Sequence, residues 1–157
     1  MKTKFYTLVL CTLSLATFFG CKNGHEPESL FGNTEKPSWS APANYDMTSS
    51  MTAVVKVDLS ANYPSATTQY QLSTEDILAA FSGDDCLSIA HPISMGEGQG
   101  EGFFLYICAP TQGKNVTLRY YSSVLKNIFV AEPFAFVNDT QLGSVAKPYM
   151  PLFAIEK

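Results

Sequence analysis

The stretch Asp76–Ala90, DILAAFSGDDCLSIA, constrains the fold of this chain more than any other. An apolar run, Ile77–Phe81, meets a polar corner, Ser82-Gly83-Asp84-Asp85, and a second apolar run, Leu87-Ser88-Ile89-Ala90, follows at once. Two short apolar segments around a Gly-Asp corner predict a β-hairpin, because glycine reaches the positive φ of a tight turn without a Cβ clash. Both arms are apolar enough to be largely buried, which places the hairpin centrally with other strands added around it. Just ahead, Ser73-Thr74-Glu75-Asp76 carries a helix-start pattern, with Ser73 as N-cap and Asp76 close to a capping-box carboxylate. Gly83 arrives too soon for a stable helix, so one helical turn followed by a strand is expected.

Strand signals recur along the rest of the chain. In Met51–Leu59, Val55, Val57 and Leu59 alternate with Lys56 and Asp58, the pattern of a half-buried strand. Phe103–Ala109, FFLYICA, is nearly continuous in apolar residues and predicts a central strand buried on both faces. Asn115–Tyr121 alternates again, Ile128–Ala131 reads as its hairpin partner, and Phe134–Val137 as a last strand entered from Pro133. Gln69–Leu72 is a candidate short strand. Ala61–Thr68 reads as a loop, and Gly143–Pro151 as an irregular tail. His91–Gly102 has glycine at every second position from Gly96 and reads as a long mobile connection. About eight short strands and no long stretch of helical period predict an all-β domain, a two-sheet antiparallel β-sandwich of immunoglobulin-like or jelly-roll type. Strand order is left open at this level.

The N-terminus has a different character. Met1-Lys2-Thr3-Lys4 is a short basic segment, Phe5–Phe19 is an apolar run of secretory-signal length, and Gly20-Cys21 ends it. The run is shorter than the roughly 20 residues a membrane-crossing helix needs. Gly20-Cys21 resembles the lipobox of bacterial lipoproteins, in which the cysteine is diacylated and becomes the mature N-terminus. Phe18 and Phe19 stand where a leucine and a small residue are usual. The resemblance implies a lipoprotein signal peptide over 1–20 and lipid attachment at Cys21. Residues 21–36 are poor in apolar side chains and are expected to form a flexible tether, leaving 37–157 as the domain. Loss of Lys2 and Lys4 with the leader leaves eight basic against fourteen acidic side chains, a net charge of −6. Such a chain has no electrostatic footprint for nucleic acid or anionic headgroups. Its membrane partner would be reached through the N-terminal lipid.

Catalytic frames are absent from the sequence. His91 is the one histidine of the domain, no GxSxG frame occurs, and Asp84-Asp85 reads as turn chemistry rather than a carboxylate pair. No CxxC or Cys/His cluster points to a metal site, and no cofactor motif occurs. Cys86 and Cys108 remain in a compartment that permits disulfides. If their strands are neighbours with both thiols outward, a disulfide becomes feasible once the Cα atoms fall within about 7 Å. Aromatic residues make up 13% of the chain, and in this otherwise motif-poor domain they are the feature that signals binding. Tyr45, Tyr63, Tyr70, Tyr121 and Tyr149 are the candidate ligand-contacting aromatics by position.

Trp39, Tyr45, Met51-Thr52-Ala53, Asp76–Cys86, Phe104–Ile107, Leu118–Ser122, Ile128-Phe129, and Phe136 followed by Asp139, Gly143 and Pro148 together resemble a β-sandwich module of Bacteroidetes secreted proteins and lipoproteins. Leu87-Ser88 stand where that module often has Arg-Gly. The resemblance implies the fold and a place at the outer membrane or cell surface; it implies no activity. The expected function is therefore that of a lipid-anchored, non-enzymatic envelope module binding a glycan or a protein. The alternatives are a small envelope hydrolase and a structural subunit of a surface assembly.

Overall fold

The computed structural model describes residues 30–43, 48–64, 70–108 and 115–157 of the chain. Tyr45 and Cys21 lie outside these residues. Ten strands and no helix occur among them: β1 (Ser50–Val55), β2 (Ile77–Ser82), β3 (Asp85–Ala90), β4 (Ile93–Ser94), β5 (Glu101–Cys108), β6 (Asn115–Ser122), β7 (Asn127–Ala131), β8 (Phe134–Ala135), β9 (Gln141–Leu142) and β10 (Phe153–Ile155). They form a two-sheet β-sandwich. The smaller sheet runs β4-β5-β1-β9; the larger runs β10-β7-β6-β2-β3, with β8 added against β6. All ladders are antiparallel except β1 with β9.

The predicted hairpin is β2–β3, and it closes as its sequence requires. Gly83 takes φ 63° at the first central position, the conformation a type II′ turn demands, and Ser82 pairs with Asp85. A bulge follows, because Ala80 pairs with Ser88 while Phe81 pairs with Cys86, leaving Leu87 as the extra residue. Ser73–Asp76 forms a turn without a helix. The Asp76 amide donates to Ser73 O at 2.9 Å, and the Ser73 amide donates back to Asp76 Oδ2 at 3.0 Å. The capping-box chemistry is thus used to launch a strand.

The inner faces of the two sheets meet in one core. Leu105, Ile107, Ala53 and Val55 of the smaller sheet oppose Leu78, Leu118, Tyr120 and Phe129 of the larger, all fully buried. Tyr120 sits centrally, stacked on Phe129 with ring centroids 6.1 Å apart and edge-on to Phe103 at 5.9 Å. Such aromatic pairs add about 1 kcal/mol each beyond the area they bury.

Residues 30–39 form a strap that leaves the core at Leu30 by the β6–β7 turn and crosses the outer face of the larger sheet to Phe81. Leu30 is buried. The amides of Gly32 and Thr34 donate to Leu125 O and Lys126 O in the β6–β7 turn. Lys36 pairs with Glu75 at 2.6 Å, and Trp39 meets Phe81 edge-on at 5.4 Å. The strap therefore follows β2 from its start to its end. Ile77, Ala79, Phe81 and Tyr121 point outward from this sheet by the alternation of β2 and β6, yet all four are buried. Arg119 adds to the cover, its guanidinium 4.5 Å above the Phe81 ring centroid and its Nε 3.4 Å from Glu156 Oε1.

Several expectations are corrected by this arrangement. Residues 30–36, expected within the tether, lie on the sandwich; the remainder of the tether, 21–29, is outside the described residues. The tail Gly143–Pro151 is irregular as expected, apart from one bridge between Tyr149 and Val55; β9 ends just before it and β10, unexpected, begins just after, because an adjacent ladder gives even two or three residues a place to pair. The Gly96–Gly100 segment closes a hairpin between β4 and β5, with the Met95 amide donating to Gly100 O. Cys86 and Cys108 are not bonded to each other. Cys86 pairs with outward-facing Phe81 on the larger sheet, and Cys108 shares the outward side of β5 on the smaller sheet. β3 and β5 approach each other along one seam of the sandwich, but side chains leaving opposite sheets in opposite directions cannot be bridged.

Candidate binding face

The expectation that β5 is buried on both faces fails at two residues. Phe103, Leu105 and Ile107 enter the core, whereas Phe104 is 49% and Tyr106 38% exposed. Ladder register places their neighbours. Across the β1–β5 pairing, Val54 faces Phe104, Thr52 faces Tyr106, and Ser50 faces Cys108. Gln141 of β9 stands beside Thr52, and Ile93 of β4, 49% exposed, faces Gly102. Side chains alternate across a sheet, so all of these share the outer face of the smaller sheet. Gly102 is required there. A Cβ at this position would approach Met95 Sδ to 2.6 Å and Val55 O to 2.8 Å, so the glycine makes room for Met95 to pack over the ladder.

The Tyr106 hydroxyl donates to Ser50 Oγ at 3.0 Å, which ties the ring across the β5–β1 ladder. Gln141 Nε2 donates to Gly143 O at 2.9 Å, holding that amide at the edge of the face. Charged side chains mark its ends. Lys56 continues β1 at one end, its Nζ 3.5 Å from Gln99 O. Asp139 stands at the other, its amide donating to Ser50 O at 2.8 Å. Between them, the rows set by Phe104, Tyr106 and their ladder partners hold apolar and neutral polar side chains. The two sheets thus differ: the larger is covered by the chain's own strap, and the smaller presents an aromatic face.

The tyrosines selected from sequence have other roles. Tyr63 packs edge-on to Phe129, and its hydroxyl accepts the Ile155 amide at 2.9 Å. Tyr121 is buried beneath the strap. Tyr149 lies edge-on to Phe134, while its backbone exchanges hydrogen bonds with Val54 and Lys56. Tyr70 packs against Tyr120, with their hydroxyl oxygens 2.6 Å apart. None of these four belongs to the face that carries Tyr106. The signal for Tyr106 was its place in the run, alternating with Leu105 and Ile107.

Tyr70 is the outer end of a buried polar chain. The Tyr120 hydroxyl donates to Asp76 Oδ2 at 2.6 Å, so the Tyr70 hydroxyl is the donor in its own contact with Tyr120. Asp76 is wholly buried. Its Oδ2 also accepts the Ser73 amide, and its Oδ1 accepts the Ser123 amide at 2.8 Å and the Ser123 hydroxyl at 2.7 Å. Burial pushes both tyrosine hydroxyls well above their ordinary range. With four donors on one carboxylate, the cluster joins the start of β2 to the end of β6 and holds the sheet in register.

The residues weighed for hydrolysis do not meet. Asp84 is exposed in the β2–β3 turn, whereas His91 follows the far end of β3, with Nδ1 3.1 Å from Asp76 O. The six residues of β3 hold them roughly 20 Å apart. Burial pushes the Cys86 thiol up, away from the reactive thiolate. A shallow groove of about 580 Å³ runs beside β7 and β10, lined by Thr117, Val130, Glu132, Leu152 and Glu156 among others. Among the described residues, no group of three or more His, Cys, Asp or Glu side chains is placed to hold a metal ion. No helix among them is long and apolar enough to cross a membrane.

Fold and face together define a two-sheet β-sandwich with one sheet covered and one open. No protein-family model, curated protein or solved structure matches the chain.

Proposed function

We propose that this protein is a lipid-anchored, non-enzymatic binding module of the bacterial outer membrane or cell surface, acting on a glycan or protein through the open face of its smaller sheet. The observation that carries the reading is the exposure of Phe104, Tyr106 and Ile93 side by side on that face, while the outward aromatics of the larger sheet lie under the strap. An apolar patch left in water on one side of a small domain marks an interaction surface. The leader, Cys21 and the acidic composition support display at a membrane through lipid rather than charge.

Two measurements on the full chain test this. Cys21→Ser is expected to release the protein from the membrane fraction and abolish labelling by a fatty-acid probe; a variant that still labels and sediments refutes the anchor. A photo-crosslinking amino acid at position 52 is expected to give adducts on cells. The same group at position 84, exposed at the tip of the hairpin, is the control, and equal adducts from both positions refute the face.

A further inference from the structure

We infer that the open face takes an uncharged polysaccharide chain, with Phe104 and Tyr106 as its stacking platforms; this rests on the binding-face reading above. The two rings follow each other at i and i+2 on β5, so they stand about 7 Å apart along one strand. Both present ring area to water from a sheet surface rather than from within a pocket. A pyranose offers a face of polarised C–H groups, which pairs with the negative face of an aromatic ring.

The polar groups around the rings match the same ligand. Ser50 Oγ, the Thr52 hydroxyl, the Gln141 amide and the Tyr106 hydroxyl are neutral, and three of them are already fixed by hydrogen bonds within the protein. Neutral donors and acceptors satisfy sugar hydroxyls without the cost of desolvating a charge. Lys56 and Asp139 stand at the margins, one of each sign, so the face gives no cationic cradle for carboxylated or sulfated polymers. The mature chain's net charge of −6 disfavours such polymers further. A protein partner would bury the same two rings, and the crosslinking arm of the test separates that outcome. The two rings lie in a row along one strand on an exposed sheet surface, a form that suits consecutive units of a linear chain.

The test is affinity electrophoresis of the detergent-solubilised full-length protein through gels containing xylan, mixed-linkage β-glucan or galactomannan, with polygalacturonate as the acidic comparison. At least one neutral polymer is expected to retard the wild type, with little change on added salt. Phe104→Ala and Tyr106→Ala are each expected to weaken retardation about tenfold, the equivalent of 1.4 kcal/mol, with circular dichroism confirming the fold of each variant. Tyr106→Phe, which keeps the ring, should retain most of it. Retardation by polygalacturonate alone overturns the inference, as does retardation unaffected by both alanine variants. If no neutral polymer retards the protein while the crosslinker at position 52 still captures a protein, the glycan assignment falls and the binding face stands. If both assays are silent, both fall.

Discussion

Asp76→Asn keeps the size of the side chain and changes one oxygen into an NH2 group. Oδ1 can go on accepting the Ser123 amide and hydroxyl. At the position of Oδ2, the new NH2 faces the Ser73 amide, donor against donor, and the Tyr120 hydroxyl must turn to donate to Tyr70 instead. The part-buried Ser73 amide is left unsatisfied at about 1–3 kcal/mol, and the hydrogen bonds that remain lose the assistance of a charge. The expected loss is about 3 kcal/mol, a large share of the 5–15 kcal/mol that stabilises a domain of this size. Urea unfolding followed by far-UV circular dichroism and by the fluorescence of Trp39 would measure it; the midpoint should fall with the slope unchanged. Asp84→Asn, at the exposed turn, is the comparison and should lie within about 0.5 kcal/mol of the wild type. An Asp76→Asn protein equally close to the wild type would refute the view that this carboxylate holds β2 to β6.

Gly143 and Gly83 both have positive φ, 73° and 63°, but a Cβ on Gly143 would meet Tyr149 N and Val54 O whereas Gly83 has open space. Gly83→Ala should cost about 1–2 kcal/mol, and Gly143→Ala at least about 3 kcal/mol once overpacking is added; equal losses in urea melts would contradict the packing described for β9. Tyr70 and Tyr120 hold their protons in the folded state above the ordinary value of 10, while the unfolded chain releases them there. Their contribution is whole below about pH 10 and is lost as the pH rises beyond it. Urea midpoints should therefore fall in alkali, less steeply for Tyr120→Phe, and a pH-independent midpoint up to the point of general unfolding would count against the buried hydroxyl chain.

What could be read in the sequence was local. Gly83 between two apolar runs has one economical solution, and β2–β3 is that solution. Ser73 and Asp76 likewise carried their reciprocal hydrogen bonds in their spacing, though a strand rather than a helix followed. The open face was hidden because Phe104 and Tyr106 sit in an unbroken apolar run, where alternation between core and solvent leaves no polar mark. Leu30-Phe31 and Trp39 are the few large apolar residues of a polar segment, so nothing local shows that Leu30 and Trp39 dock on a sandwich formed far along the chain. The cysteine pair depended on sheet membership, which is a property of the whole topology. β9 and β10 exist through their partners alone, being too short to announce themselves.

The strap also gives the molecule a mechanical character. Tension applied through the chain before Leu30 reaches the sandwich at the β6–β7 turn, the end where the strap begins. It would act on Leu30 first, then on the Gly32 and Thr34 hydrogen bonds, then on Lys36–Glu75, and last on Trp39 against Phe81. Bonds broken one after another yield at lower force than bonds sheared together. Peeling residues 30–39 would release roughly 35 Å of extended chain while every ladder of the two sheets stayed paired. A domain pulled from its N-terminal side would lengthen before it unfolded, and Trp39 fluorescence would report the moment the last contact let go.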